Sequence, residues 1–372
     1  MSASPRGGKK WLILLALPAL LLGLLAWQWS AILQWHYVRS LAGAEEGDRE
    51  ACAERVAALD LEVLPRLLTI LRDNDARAVA NVEAALVSML RRWGADDPRG
   101  KILAEELLSQ FNDLSVEGQY AALRVPLVWL GMSPVTPAPA AVTTIVGQFL
   151  SASTRNAELR SRALLLAQAL LLGSIPGQWT ELCKEQALAG LKDADAETRL
   201  RAVHVLQQLA RVEPQLLAES AELLRDSAVE VRCAALIAVG ASRDAVADEE
   251  LLPLLHDADA EVRRLCEAAL RSRGLGDSHL LLARLISDSR PGARLQVVSH
   301  LSETDNLEPG VWLRRLSQDT SPAVRAAAVR AMYYQTHIDL RDRIQQMAAD
   351  DPSPTVRQLA EHYLRRPPLR ED

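Results

Sequence analysis

Aromatic residues are scarce in this chain: of 372 residues two are Phe, five Tyr and eight Trp. Runs that alternate apolar and polar residues with period two are few. Both shortages weigh against sheets, which draw on aromatic and β-branched side chains. Lysine supplies only five of the 42 basic residues, a bias read as that of a GC-rich bacterial genome, without functional meaning. Cysteine is sparse, at Cys52, Cys183, Cys233 and Cys266, with no CxxC pair and no Cys/His zinc spacing. The four are read as small buried apolar side chains. A disulfide stays open, and spacing alone pairs none of them. Catalytic signatures are missing too: there is no HExxH, Walker A, GxSxG or dinucleotide fingerprint. The seven histidines, at 36, 204, 256, 279, 300, 337 and 362, keep no ligand spacing and are read as scattered surface residues. Paired carboxylates such as Glu249-Glu250 and Asp350-Asp351 are read as solvated or capping groups. The expectation is no catalytic residue, no cofactor, no metal and no small-molecule substrate.

The net charge is −6, and it is unevenly placed. Residues 1–40 carry Arg6, Lys9, Lys10 and Arg39 and no acid, which leaves 38 basic against 48 acidic residues for the remainder. So acidic a body is a poor general binder of nucleic acid, whose affinity comes largely from phosphate neutralisation. Half of the chain, 49%, is hydrophobic, mostly Leu and Ala, which suits packed helices.

The hydrophobicity has one long run. From Trp11 to Leu33 lie 23 predominantly apolar residues, preceded by a basic stretch over 1–10. At about 1.5 Å per residue such a run spans a hydrocarbon core of roughly 30 Å. Trp11 marks one end, and Trp27, Trp29, Trp35 and Tyr37 crowd the other, where amphipathic rings favour the headgroup zone. A cleaved signal peptide is the rival reading, but ending its apolar core at Ala26 puts Leu24 at position −3, where cleavage wants a small residue. The anchor is the preferred reading. Basic residues before the span predict a cytoplasmic N-terminus, with the body extracytoplasmic at a bacterial inner membrane. Ala19 and Gly23 form a small-xxx-small pair that is read as incidental.

Past residue 40 the pattern is helical, broken by turn material such as 94–100, 173–178 and the Pro-rich 131–140. A phrase then recurs: aspartate, five residues, arginine. It runs Asp193/Arg199, Asp226/Arg232, Asp257/Arg263, Asp288/Arg294, Asp319/Arg325 and Asp351/Arg357, with arginines 31 to 33 residues apart. One before, three after and seven after each arginine come apolar or small residues, for example Val324, Ala328 and Met332, which share one helix face. Asp195, Asp259, Ser321 and Ser353 stand at N-cap positions; Ala228 and Arg290 are the exceptions. Pro291, Pro322 and Pro354 occupy the first helical position. Each unit thus reads as helix, tight turn carrying Asp, helix opening with Arg. Upstream the phrase decays: Arg160 follows Thr154 instead of Asp, Asp113 precedes Gln119 instead of Arg, and residues 73–86 fit loosely.

These residues resemble the HEAT-repeat family in its bacterial HEAT-like form, also seen in phycobilisome lyase subunits. The resemblance implies an all-α, right-handed α-solenoid of about eight helix pairs, here preceded by one transmembrane helix. With the apolar run, the expected division is a basic tail over 1–10, an anchor over 11–33, degenerate repeats over 40–175, regular repeats over 176–367 and a tail over 368–372. The resemblance also implies that the six aspartates and six arginines stack as a structural ladder, each Arg reaching the next repeat's Asp in bidentate fashion. In such arrays the second helices line the concave side. On that row stand Arg264, Arg271, Arg330, Tyr333 and Arg365, with His204, Gln207 and His362, a surface expected to meet a protein partner through an acidic patch. The expected function is a membrane-tethered scaffold without catalysis. The alternatives are a lyase-type enzyme attaching bilin or a similar group, and an obligate subunit of an envelope complex.

Overall fold

The computed structural model describes residues 29, 31–132, 139–172, 177–303, 308–335 and 338–366. The basic tail, nearly all of the anchor over 11–33, His337 and the tail from 368 lie outside the described residues. Among the described residues there is no strand, and no helix is long and apolar enough to cross a membrane. They fall into two compact units, one ending at Arg211 and one beginning at Val212.

In the first unit a helix over 31–42 turns into Arg49–Ala57, which packs on the long helix Ala76–Trp93. Buried Asn81 fixes that turn: its Nδ2 donates to the carbonyls of Leu41 (2.9 Å) and Ala44 (3.0 Å), and its Oδ1 accepts from Arg49 Nε (2.7 Å). Helix pairs follow: Leu64–Leu71 with Ala76–Trp93, then Pro98–Ser109 with Val116–Ala122 and its continuation Arg124–Met132. Ala140–Ser153 then pairs with Arg160–Leu172, and Thr180–Gly190 with Ala196–Leu209. Starts are set locally. Asp75, Asp97, Ser115 and Asp195 each accept a first-turn backbone N–H, which satisfies donors that have no partner within the helix. Ala76–Trp93 buries Val79, Val82, Leu86, Met89 and Leu90 on one stripe and ends at Gly94, whose φ of +88° suits glycine. The chain's two phenylalanines, Phe111 and Phe149, are both fully buried and meet edge to face at 5.8 Å.

The second unit holds five pairs: Pro214–Arg225 with Val229–Val239, 248–256 with Ala260–Ser272, Asp277–Ser287 with Pro291–Glu303, Pro309–Leu316 with Pro322–Tyr334, and Arg341–Asp350 with Pro354–Leu364. With the pairs from Leu64 onward in the first unit, nine stand among the described residues, against the expected eight or so. The surplus lies upstream, where apolar faces pair without the Asp/Arg phrase. Pro214–Arg225 is wound as a 3₁₀-helix throughout, and Leu252–His256 likewise, with Pro253 at its second position. The stripe around each marker arginine forms the core: of its eighteen residues only Ala293 and Leu364 are not buried. Ser321 and Ser353 occupy the N-cap positions, yet their hydroxyls accept no capping bond. Pro322 and Pro354 next to them have already removed one donor.

Two repeats of the first unit touch backbone to backbone. Leu71 O accepts from the N–H (3.0 Å) and Oγ (2.9 Å) of Ser115, and a Cβ built on Gly118 would lie 1.9 Å from that same oxygen. Gly118→Ala should therefore cost about 2–3 kcal/mol by overpacking against a carbonyl that cannot move without losing two bonds. Gly131→Ala, with open space around its Cβ, should be neutral or slightly stabilising. Thermal melts of the two variants test this; matching melting temperatures would contradict it.

Candidate functional site

Each phrase aspartate opens a turn in the same way. Its Oδ1 accepts the backbone N–H two residues on: Asp195 for Asp193, Ala228 for Asp226, Asp259 for Asp257, Arg290 for Asp288, Ser321 for Asp319 and Ser353 for Asp351, all at 2.7–3.0 Å. The arginine six residues later clamps the turn from its own side. Nη1 of Arg199, Arg232, Arg263, Arg294, Arg325 and Arg357 donates to the carbonyl of the phrase aspartate. In the first five it also reaches the carbonyl of the next residue.

The remaining edge of the guanidinium faces the next repeat. Arg232 donates Nε and Nη2 to the two carboxylate oxygens of Asp257, both at 2.9 Å. Arg294 does the same to Asp319 at 2.6 and 2.9 Å, and Arg325 to Asp351 at 2.8 and 2.9 Å. The Arg325–Asp351 pair is the most buried, its side chains 8% and 3% exposed. Asp319 and Asp351 therefore each receive two arginines, one on the carboxylate and one on the carbonyl, in a continuous chain from Asp288 to Arg357. Burial alone would raise the carboxyls of Asp257 and Asp319, but the bonds from Arg232 and Arg294 and from the turn N–H groups hold both below the ordinary carboxylate value. At Asp351 the Arg325 bond is the largest influence and acts in the same direction.

One rung differs. Arg263 bonds only its own turn among the described residues, and the carboxylate of Asp288 is taken by Arg290, through Nε at 3.1 Å and Nη2 at 2.8 Å. Arg290 is the residue that breaks the N-cap pattern. It holds Asp288 far below the usual carboxylate range. Upstream, Arg160 pairs with Asp193, so the ladder begins one repeat before the first complete phrase. Gln119 donates to the Phe111 carbonyl (3.0 Å), a turn clamp without the reach of an arginine.

Arg273 belongs to no repeating position, and sequence reasoning passed over it. Its side chain is 1% exposed. It donates to the carbonyls of Val239, Gly240, Ser242 and Val246 and to Asp248 Oδ1 at 2.7 Å. A buried cation thereby saturates the C-terminal end of Val229–Val239 and the turn after it. The only signal in the sequence is the long turn over 240–247, whose carbonyls need donors.

The second-helix row lies on the far side from the buried stripe. Arg264, Arg271, Arg330 and Arg365 are exposed and Tyr333 is half-buried. The acids of the chain itself already meet three of them: Glu261 pairs with Arg264, Asp277 with Arg271 and Glu361 with Arg365. Arg330 has no acidic partner among the described residues. Tyr333 stacks 4.7 Å from Tyr363 and 5.3 Å from Tyr334. On the same row the sequence reading passed over Ile237, which is 63% exposed. His204 is half-buried, and burial lowers its pKa, so it presents a neutral ring.

The clefts of the second unit offer little converging chemistry. One of about 460 Å³ runs along Asp319, Arg325, Arg343 and Asp351, whose polar groups are already bonded to one another or, for Arg343, to Ser317 Oγ (2.8 Å). Another of about 270 Å³ is lined chiefly by Met332, Tyr333, Ile338, Leu340, Ile344 and Tyr363. Among the described residues no three His, Cys, Asp or Glu side chains gather where they could hold a metal. All four cysteines are free, and burial pushes the thiols of Cys183 and Cys266 up to about 12, which leaves them unreactive.

Arg325→Ala strips the buried Asp351 of its fork and should cost about 3–5 kcal/mol at neutral pH. Arg357→Ala loses only a turn clamp and should cost about 1 kcal/mol. Because Asp351 has a depressed folded pKa, the stability it contributes is present above its ordinary value and is lost as pH falls through the folded value. The Arg325→Ala penalty should therefore shrink in acid. Urea unfolding of both variants at neutral pH and below pH 4 measures this; equal losses, or a penalty that grows in acid, would contradict the assignment.

Solved structures similar to this chain include a crystallised engineered protein at 15% identity, covering 88% of this chain and 97% of the other with a TM-score of 0.41. A second engineered protein is 18% identical over 64% of this chain and 94% of its own, TM-score 0.35. A designed armadillo repeat protein is also 18% identical, over 56% and 99%, TM-score 0.35. No curated protein matches the chain. The family model of HEAT repeats matches residues 185–271 and again 278–365, the two stretches that contain the whole phrase series from Asp193 to Arg357. The stretches that carry these turns, second helices and arginine clamps, 185–271 and 278–365, are thus HEAT repeats.

Proposed function

We propose that this protein is a membrane-tethered HEAT-repeat scaffold for protein–protein interaction, a right-handed stack of repeats on the extracytoplasmic side of a bacterial inner membrane, without catalysis of its own. The observation that carries the reading is the division of labour on the second helices. One stripe is consumed by the core, while the opposite row stays exposed from repeat to repeat at Ile237, Arg264, Arg271, Arg330 and Arg365. Arginine and tyrosine are favoured at binding centres, and an exposed isoleucine beside them gives an apolar contact. The ion pairs on Arg264, Arg271 and Arg365 are exposed, so a partner carboxylate can replace the internal one at small cost. The fitting partner is a protein with an acidic patch around a small apolar centre. A tether supports the same role, since holding a binding surface at the bilayer raises the local concentration of what it captures. The helix over 31–42, which follows the apolar segment in sequence, is tied through Asn81 to the first unit's long helix Ala76–Trp93.

The test uses the full chain purified in detergent. The Arg264→Glu, Arg271→Glu, Arg330→Glu triple variant should lose at least about tenfold of a captured partner with unchanged circular dichroism and melting. Alkaline carbonate should leave the wild-type chain in the membrane pellet. Partner retained by the folded triple variant overturns the binding surface, and release into the carbonate supernatant overturns the tether.

A further inference from the structure

We infer that the cleft between the helix over 31–42 and the helix Leu64–Leu71 binds the headgroup of an anionic phospholipid in the leaflet that the anchor leaves. The inference rests on the tether reading and adds a ligand to it. The cleft encloses about 390 Å³ and is lined by Trp35, Val38, Arg39, Ala42, Arg66, Thr69 and Ile70. Its chemistry is that of a lipid interface: an apolar floor of Val38, Ala42 and Ile70, an exposed tryptophan as one wall, and two guanidinium groups.

Three observations select the occupant. The first is the outer face of the helix. Trp29, Ile32 and Trp35 recur every three residues and are 65%, 57% and 50% exposed, a row of large apolar side chains with nothing of the described chain over it. The second is charge. Neither Arg39 nor Arg66 has an acidic partner among the described residues. The Arg39 guanidinium lies over the Trp35 ring, 5.1 Å from its centroid, and Glu62, four residues before Arg66, accepts from Gln34. Two unneutralised arginines beside an apolar floor need an anion with an apolar part, which a phospholipid supplies and a free phosphate does not. The third is position. On a helix continued from an apolar segment ending at Leu33, Trp35 stands about 3 Å and Arg39 about 9 Å beyond the hydrocarbon edge, within or at the rim of the roughly 5–8 Å headgroup layer. Tryptophan and arginine are the residues that settle at that depth. The rest of the chain is acidic and would be repelled by an anionic leaflet. A cationic contact beside the anchor therefore fixes which part of the molecule meets the surface.

The experiment titrates the detergent-solubilised full chain with phosphatidylglycerol and, separately, phosphatidylcholine, and compares it with the Arg39→Gln, Arg66→Gln double variant. The wild type should bind phosphatidylglycerol about 10–30-fold more tightly, and the double variant should bind the two lipids alike while keeping the wild-type melting temperature and membrane retention. Glycerol phosphate at millimolar concentration should not compete. Equal binding of both lipids by the wild type, an undiminished preference in the folded double variant, or competition by glycerol phosphate as strong as by the lipid would each overturn the inference. A chain that carbonate releases from membranes instead marks the failure of the tether reading beneath it.

Discussion

A planar guanidinium has donors on three nitrogens, and in this protein they point to two different repeats at once. Nη1 closes the turn from which its own helix starts, while Nε and Nη2 form a fork on the carboxylate of the turn that follows. No lysine could do both, because an ammonium has no rigid fork. The aspartate is as constrained as its partner. One oxygen orders the turn through the backbone N–H two residues on, and both accept the neighbour's arginine. Local turn geometry and the spacing between repeats are thereby the same interaction. The apolar stripe supplies most of the burial, but greasy faces alone tolerate slippage; the fork allows one register only.

This interaction explains where the second unit is uniform and where it is not. Its second helices pack on one another at each step except between Ala260–Ser272 and Pro291–Glu303, where contact is sparse among the described residues. The same step lacks the Arg263–Asp288 rung and contains Ala293, the one residue before a marker arginine that is not buried. The family match also pauses there, between 271 and 278. Arg273 ties the end of that repeat backward to 239–248. Forward attachment passes instead through the next first helix, Asp277–Ser287, where the Arg284 carbonyl lies 2.9 Å from His256 Nε2 and the Arg284 side chain pairs with Glu267 of the preceding second helix. Where the fork is missing, other polar contacts replace it, and the packing is looser.

Much of this was legible in the residues. The Asp-x₅-Arg phrase gave turn, helix start and core stripe together, because one spacing satisfied three physical demands. The recurring Pro at the first helical position and the small residue three after each arginine belong to the same logic. Less legible was anything outside the period. Arg290 was visible as an exception to capping but not as the competitor for Asp288, since proximity inside a turn is not encoded by helix periodicity. Arg273 and Asn81 act on backbone carbonyls 27 to 40 residues away, and carbonyls have no sequence signature. In the first unit Gln119 and Arg160 each keep half of the ladder's role, which a search for whole phrases reads as decay. The second-helix row was legible as exposed, but not the acids that meet three of its arginines.

The central claim is that the fork couples adjacent repeats through charge and geometry instead of merely accompanying their packing. A double-mutant cycle with Arg294→Gln and Asp319→Asn isolates it, because asparagine keeps an acceptor for the Ser321 N–H. The account predicts a coupling energy of about 2 kcal/mol or more from chemical unfolding at neutral pH. Additive single and double variants, with coupling below roughly 0.5 kcal/mol, would contradict it.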